Sequence, residues 1–304
     1  MRILIVASGN HYALAPFVTE QAEALIQEGN TVEMFLVKGH GVAGYLKNFR
    51  QLKETIARFG PDIVHAHYGL CGLLCTMQRR VPVVITYHGS DVNDPYLLPL
   101  SRIAMRRSAA SIFVSQRMRE RAGRWARRAI VTPCGVNFQL FPLVDRAEAR
   151  RRLGLQPDGQ YVLFGGSFGN VVKNALLALD ACSLLPDAHL LELHKRTRKE
   201  VALLMNACDA LLLTSFIEGS PQVVKEALVC NLPVVSVDVG DVAEHIERTH
   251  GGVVVDDVPE KIAAALAPLL EFPRRTDARE KMSQYDNRVI AERICNLYNT
   301  ILHE

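Results

Sequence analysis

Two doubly wound α/β domains in tandem are predicted by three features of this sequence. Short, β-branched apolar runs recur along it; they alternate with helical stretches; and the series breaks once and then resumes. Continuous apolar runs of this length suit strands buried on both faces. Their alternation with helices builds parallel sheets from right-handed crossovers. The first series reads 2–7 (RILIVA), 31–37, 62–66, 82–87, 111–115 and 129–132. The second reads 161–165, 189–193, 209–214, 233–238 and 252–255. Between them, 134–150 (CGVNFQLFPLVDRAEAR) holds a Gly-containing turn, Pro142 and a charged helix start. It reads as a linker and gives domains 1–141 and 142–285. In 286–302, Ile290, Ile294, Leu297, Tyr298 and Ile301 follow helical spacing, so that stretch is an amphipathic helix.

Composition narrows the function classes. The chain has 304 residues, 49% of them hydrophobic and 22% charged, which excludes collagen, disorder and low complexity. A net charge of +3 does not argue for nucleic acid. No apolar run approaches the roughly 18–20 residues of a membrane span. The N-terminal MRILIVASGN is too short in its apolar part for a secretion signal and reads as a first strand. Seven Cys without a CxxC make neither a disulfide framework nor a zinc site, so a reducing cytoplasm is the default expectation.

Open α/β sheets bind ligands beyond the carboxyl ends of their strands, and two facing domains of this type imply a ligand in the cleft between them. Polar residues directly after strands are therefore the candidates: Gly9 to His11, His67, His88 to Asp91, Gly165 to Lys173 and Thr214 to Ser220. The richest stretch is 209–246, DALLLTSFIEGSPQVVKEALVCNLPVVSVDVGDVAEHI. After the strand, Ser220 suits an N-cap and Pro221 the first helical position. The free N–H groups of such a helix start suit the oxygens of an anionic or sugar ligand. Glu218 precedes the helix and Glu226 lies on it. A carboxylate accepts two hydroxyl hydrogen bonds and so fits a vicinal diol. An ordinary solvated Glu remains the plainer reading of Glu226 taken alone.

With these segments in order, the sequence resembles the family 4 glycosyltransferases of the GT-B fold. The resemblance rests on NACDALLLTSFIEGSPQVVKEALVCNLPVVSVDVGD with its E-x7-E pair, on PDIVHAHYG (61–69), on PVVITYHGSD (82–91) and on CGVNFQLFP (134–142). It implies transfer of a hexosyl unit from a UDP- or GDP-sugar to a glycan or lipid-linked acceptor, with retention and without a metal. No DxD motif occurs. It also implies that the first domain binds the acceptor, the second the donor, and that the 286–304 helix packs back on the first.

Residue by residue, Glu226 matches the carboxylate that holds the nucleotide ribose. Glu218 matches the first Glu, at the donor sugar, with Gly219, Ser220, Pro221 and Gln222 offering backbone groups beside it. His88 matches the histidine that approaches the sugar hydroxyls near the reacting carbon. Lys173 matches the lysine that neutralises the diphosphate. The segment GGSFGNVVKN departs from the pattern, with Ser167 where an Arg is expected. A hydroxyl offers one hydrogen bond and no charge, where Arg offers a bidentate cation. Asn137 stands where the interdomain turn often has Asp.

Other features are open to two readings. His65 and His67 alternate on one strand face and fit a metal or, more simply, packed strand histidines. Gly9 suits a phosphate or acceptor loop, or a plain strand-to-helix turn. His11 suits an acceptor contact or a solvated loop. Residues 102–128 hold nine Arg and one Glu. Arg117, Arg121, Arg124 and Arg128 follow i, i+4, i+7, i+11, as a basic helix face lying on anionic lipid would, or as a solvated face. The alternatives to a transferase are a silent GT-B subunit bound to a partner transferase, which Ser167 favours, and an epimerase or phosphorylase on the same fold. Gly165 to Gly169 lacks GxGxxG spacing, which disfavours a nicotinamide dehydrogenase.

Overall fold

A computed structural model describes residues 1–10, 14–126 and 128–304. Among the described residues, eleven strands form two parallel sheets, one in each of two compact units. The first unit comprises Met1–Gly135 with Asn287–Glu304, the second Val136–Asp286.

In the first unit the strands are β1 (Arg2–Ser8), β2 (Thr31–Val37), β3 (Ile63–His67), β4 (Val83–Tyr87), β5 (Ala110–Phe113) and β6 (Ala129–Val131). Their order is β2-β1-β3-β4-β5-β6, all parallel. The middle strands are buried throughout, which is why they read as unbroken apolar runs. The Asn287–Leu302 helix completes this unit: Ile290, Ile294 and Tyr298 are buried against Ile3, Ile5 and Val84.

The second unit contains β7 (Gln160–Phe164), β8 (Ala188–Glu192), β9 (Ala210–Leu213), β10 (Val234–Ser236) and β11 (Gly252–Val254) in the order β11-β10-β9-β7-β8. Beneath it lies a buried ion pair. Arg150 donates to both oxygens of Asp209 at 2.9 Å, and Asp209 also accepts the Tyr161 N–H at 2.9 Å.

Two expectations change. The units divide at Gly135/Val136 rather than after residue 141. The Val136 N–H donates to the Tyr285 carbonyl at 2.8 Å, and Phe141 is fully buried in the second core. The turn the sequence assigns to the first domain is thus held by hydrogen bonding and burial in the second. The four-arginine stripe is also not one helix. The helix Gln116–Ala122 ends at Gly123, whose φ of 64° leaves the helical region, and a short 3-10 turn follows. Arg117 and Arg121 lie on the helix, Arg124 in the turn, and Arg128 just before β6. All four remain exposed, and Arg128 pairs with Glu304. Among the described residues no helix is long and apolar enough to cross a membrane.

Candidate active site

Strand order reverses between β7 and β9 in the second unit. The crevice at their carboxyl ends is where such a sheet binds ligands. Both strands run into candidate segments, and hydrogen bonds tie the two together. The Gly165 N–H donates to the Leu212 carbonyl at 2.9 Å, and Phe216 N–H to Val172 at 3.0 Å. Thr214 Oγ1 donates to the carbonyls of Lys173 and Asn174, each at 3.0 Å. At the glycines 165 and 166 neighbours approach closely: a Cβ would stand 2.8 Å from Leu213 Cδ1 or 2.7 Å from Lys173 Cγ, so those side chains would have to shift.

This arrangement brings Lys173 to Glu218. Nζ donates to Oε1 at 2.6 Å, with 21% and 16% of the two side chains exposed. Ser167 supplies no charge. Its Oγ accepts the Gly169 N–H at 3.4 Å, within its own turn.

Glu226 is buried on the helix Gln222–Val229. It accepts from Arg198 Nη2 at 2.6 Å, and the Arg198 guanidinium lies 4.9 Å from the centre of the Phe141 ring. Burial with a cation excludes the solvated-Glu reading of Glu226. Arg198 is a residue the sequence did not single out. Its signal was the box Thr197-x-x-Glu200, which caps the helix Arg198–Ala207 at both Thr197 and Glu200 and so sets Arg198 in its first turn. The N-cap of the Glu226 helix is Pro221, not Ser220. The Ser220 hydroxyl accepts from Lys225 Nζ at 3.1 Å instead of capping the helix.

In the first unit the order reverses between β1 and β3. Gly9 follows β1 and donates to the Val37 carbonyl at 2.8 Å; a Cβ there would stand 2.9 Å from Leu36 Cβ. Packing alone accounts for this glycine. His11 lies outside the described residues. Beside this end of the sheet is a cavity of about 330 Å³ lined by Ser8, Leu14, Tyr45, Tyr68 and Asp91 among others.

His88 follows β4. Its Nε2 lies 2.9 Å from His67 Nδ1, its Nδ1 lies 3.6 Å from Cys134 Sγ, and Phe17 and Tyr68 flank its ring. Burial pushes His67 down to about 3, so it is neutral at ordinary pH. His65 is lowered by burial and then by His67. Burial pushes the Tyr298 phenol up, so it keeps its proton and donates to His65 Nδ1 at 2.5 Å. His65 Nε2 then donates to Thr86 Oγ1 at 2.7 Å. His65 is thus bonded at both ring nitrogens within its own unit, which suits the packed-strand reading of that residue. Asp91 is buried and accepts the N–H groups of Gly89 (2.9 Å), His88 (3.1 Å) and Gly69 (3.2 Å). Burial outweighs these bonds and raises its carboxyl to about 6.

With the geometry in hand, comparison with known proteins is specific. Residues 15–140 match Glycosyltransferase Family 4, and residues 156–289 match Glycosyl transferases group 1. The D-inositol 3-phosphate glycosyltransferase of Thermobispora bispora is 26% identical over 74% of this chain and 67% of its own length. The putative teichuronic acid biosynthesis glycosyltransferase TuaC of Bacillus subtilis is 27% identical over 60% of this chain and 54% of its own length. This chain thus matches only about half of TuaC. Among solved structures, the sucrose-phosphate synthase of Thermosynechococcus elongatus superposes with a TM-score of 0.86 at 20% identity, covering 99% of both chains. Anabaena HepE in complex with UDP-glucose gives 0.79 at 18% identity, covering 99% of this chain and 100% of that one. The chain is a glycosyltransferase of the GT-B family, its N-terminal part belonging to family 4 and its C-terminal part to the group 1 transferases.

Proposed function

We propose that this enzyme moves a hexosyl unit from a UDP- or GDP-sugar to a glycan or lipid-linked acceptor, with retention and without a metal. The observation that carries this reading is the pair of cation–carboxylate contacts at the switch point of the second sheet. Lys173 meets Glu218, and Arg198 meets Glu226. A nucleoside diphosphate sugar offers a partner to three members of the set. The ribose diol donates to Glu226, the diphosphate takes Lys173, and the hexose hydroxyls reach Glu218. The match to HepE, solved with UDP and with UDP-glucose, supports a uridine donor.

In the proposed reaction the acceptor hydroxyl oxygen bonds to the anomeric carbon as that carbon's bond to the diphosphate oxygen breaks. Negative charge develops on the departing oxygen, where Lys173 and the backbone N–H groups of 165–169 stabilise it. The hydroxyl proton passes to the leaving diphosphate on the same face. His88 and Glu218 orient the sugar ring. With Ser167 in place of a second cation, Lys173 carries more of the phosphate charge.

The test is a thermal-shift panel of UDP, GDP, ADP and their sugar esters, with and without chelator. A ligand specific to the folded state at 100 times its dissociation constant stabilises it by about 2.7 kcal/mol. The expected result is a selective shift insensitive to chelator. Glu226→Ala should lower that affinity by about 10- to 100-fold, as loss of a charged hydrogen bond does. Unchanged affinity would remove Glu226 from the ribose.

A lipid-linked acceptor would bring the enzyme to the inner membrane face. Support for that contact is the local positive charge of 102–128 and the exposure of Arg117, Arg121, Arg124 and Arg128, rather than a continuous helical stripe. It predicts salt-sensitive co-sedimentation with anionic vesicles; no binding at low salt would end it.

A further inference from the structure

Beside the donor residues lies a buried polar cluster that the reaction above does not use. Lys225 precedes Glu226 on the Gln222–Val229 helix, yet its side chain is 0% exposed. Its Nζ donates to Ser220 Oγ at 3.1 Å. Asp241 is also buried and faces this pair. The cost of burial is outweighed by the His245 hydrogen bond and by the charges of His245 and Lys225, with help from the Ser220 hydroxyl, so its carboxyl is held below the ordinary value. His245, 1% exposed, donates from Nε2 to Asp241 Oδ2 at 3.2 Å and sets its ring edge-on to Tyr285. Gly240, with φ of 60°, lies directly against the donor loop. A Cβ there would meet the Gly219 carbonyl at 3.1 Å, Pro221 Cδ at 3.2 Å and Glu218 Cβ at 3.3 Å.

We propose that Lys225, Ser220, Asp241 and His245 form a positioning latch that holds the 218–221 loop in place for the sugar–diphosphate part of the donor. The proposal rests on the donor reading above and adds Lys225, Asp241 and His245, which do not themselves touch the ligand, and a second use for Ser220 through its hydroxyl. Two neighbouring helix positions divide the work. Glu226 faces Arg198, and Lys225 faces inward to Ser220, with Asp241 close enough to feel its charge. A buried charge needs its partner in place, so the pair specifies one loop position where a solvated Lys would permit many. The latch ties residues 240–245 to the segment that carries Glu218 and the Gly219 and Ser220 amides, and leaves the Arg198–Glu226 pair to its own support. Preorganised donors act only when fixed where charge develops, which gives such a latch its function.

The test uses the whole chain and calorimetric titration with UDP, GDP and ADP, then with the glucose ester of whichever binds. Lys225→Met alone takes one of two cationic side chains, the other being His245, from the surroundings of buried Asp241 and is expected to destabilise the fold. The double variant Lys225→Met/Asp241→Asn removes both charges together and relieves that penalty. The latch predicts that the double variant binds the nucleoside diphosphate within about 3-fold of wild type but loses about 10-fold or more in affinity for the sugar ester. Gly240→Ala presses on the loop without touching a charge and should give the same split, so the proposal stays testable if the double variant fails to fold. Wild-type affinity for both ligands, or an equal loss of both, would overturn the latch and leave the cluster a purely structural role. Failure of the unaltered chain to bind any nucleoside diphosphate would instead overturn the donor reading, and the latch with it.

Discussion

Each carboxylate assigned to the donor is already committed to a cation of the same unit, so ligand binding at these residues is an exchange of partners. In the proposed donor complex Lys173 would leave Glu218 for a diphosphate that offers more negative charge, and Glu218 would then turn to the sugar hydroxyls. Exchange of this kind keeps both charges satisfied throughout, which a half-buried pair requires. Asp91 shows the opposite case, a carboxyl with no cation. Backbone N–H groups, those of Gly69, His88 and Gly89 among them, serve it, yet burial prevails and raises it from 3.8 to about 6. The folded chain therefore binds this proton more tightly than the unfolded chain does. Its contribution to stability is fully present below the unfolded value and is lost as pH rises through the folded one. The stability of wild type minus that of Asp91→Asn should thus fall between about pH 4 and 6 and level off above, by up to about 3 kcal/mol. Urea melts of both proteins across that range check it. A difference that rises with pH would contradict the assignment.

At the scale of elements, the inner strands were legible because burial on both faces leaves a continuous apolar run, and the outer strands β2, β6, β8 and β11, partly exposed, were legible from their place in the alternation with helices. What escaped the sequence has a physical reason in each case. Arg198 and Glu226 stand 28 residues apart, and only the folding of one crossover onto the next makes them neighbours. The burial of Lys225, with its Nζ on Ser220 Oγ, is likewise invisible in a helix whose other positions face both ways. The arginine stripe fails at Gly123, a residue that itself signals a helix end. The Arg150–Asp209 pair belongs to the same hidden class. It joins the Arg146–Leu153 helix to the residue just before β9, and through the Tyr161 N–H to β7. Asp209→Ala would leave Arg150 buried without a countercharge and the Tyr161 N–H without its acceptor. A loss of about 3–5 kcal/mol is expected, read from the urea midpoint at unchanged slope. A loss below about 1 kcal/mol would show that Arg150 finds water instead.

At the scale of the whole molecule, the chain leaves the first unit at Gly135 and returns to it at Asn287, so residues 287–304 belong to the first unit. The returning helix buries Ile290 and Ile294, at about 1.5–3 kcal/mol each. It also brings Tyr298 to His65, a fully buried ring whose Nδ1 has that phenol as its donor. Removing 287–304 therefore strips one face of the β1–β3–β4 sheet and leaves an imidazole nitrogen unsatisfied, while the second unit, ending at Asp286, keeps its own core. Two units with separate cores need not unfold as one transition. The truncated chain should show the transition of its first unit lowered or lost, while the transition that the nucleotide shifts persists within a few degrees of its original temperature. Tyr298→Phe isolates the polar part: it keeps the ring and costs about 1–3 kcal/mol in the first unit alone. Calorimetric melts with and without the nucleotide separate the two transitions. Should truncation abolish the nucleotide-dependent shift, the donor residues would depend on the returning helix, and the second unit would not hold the donor on its own.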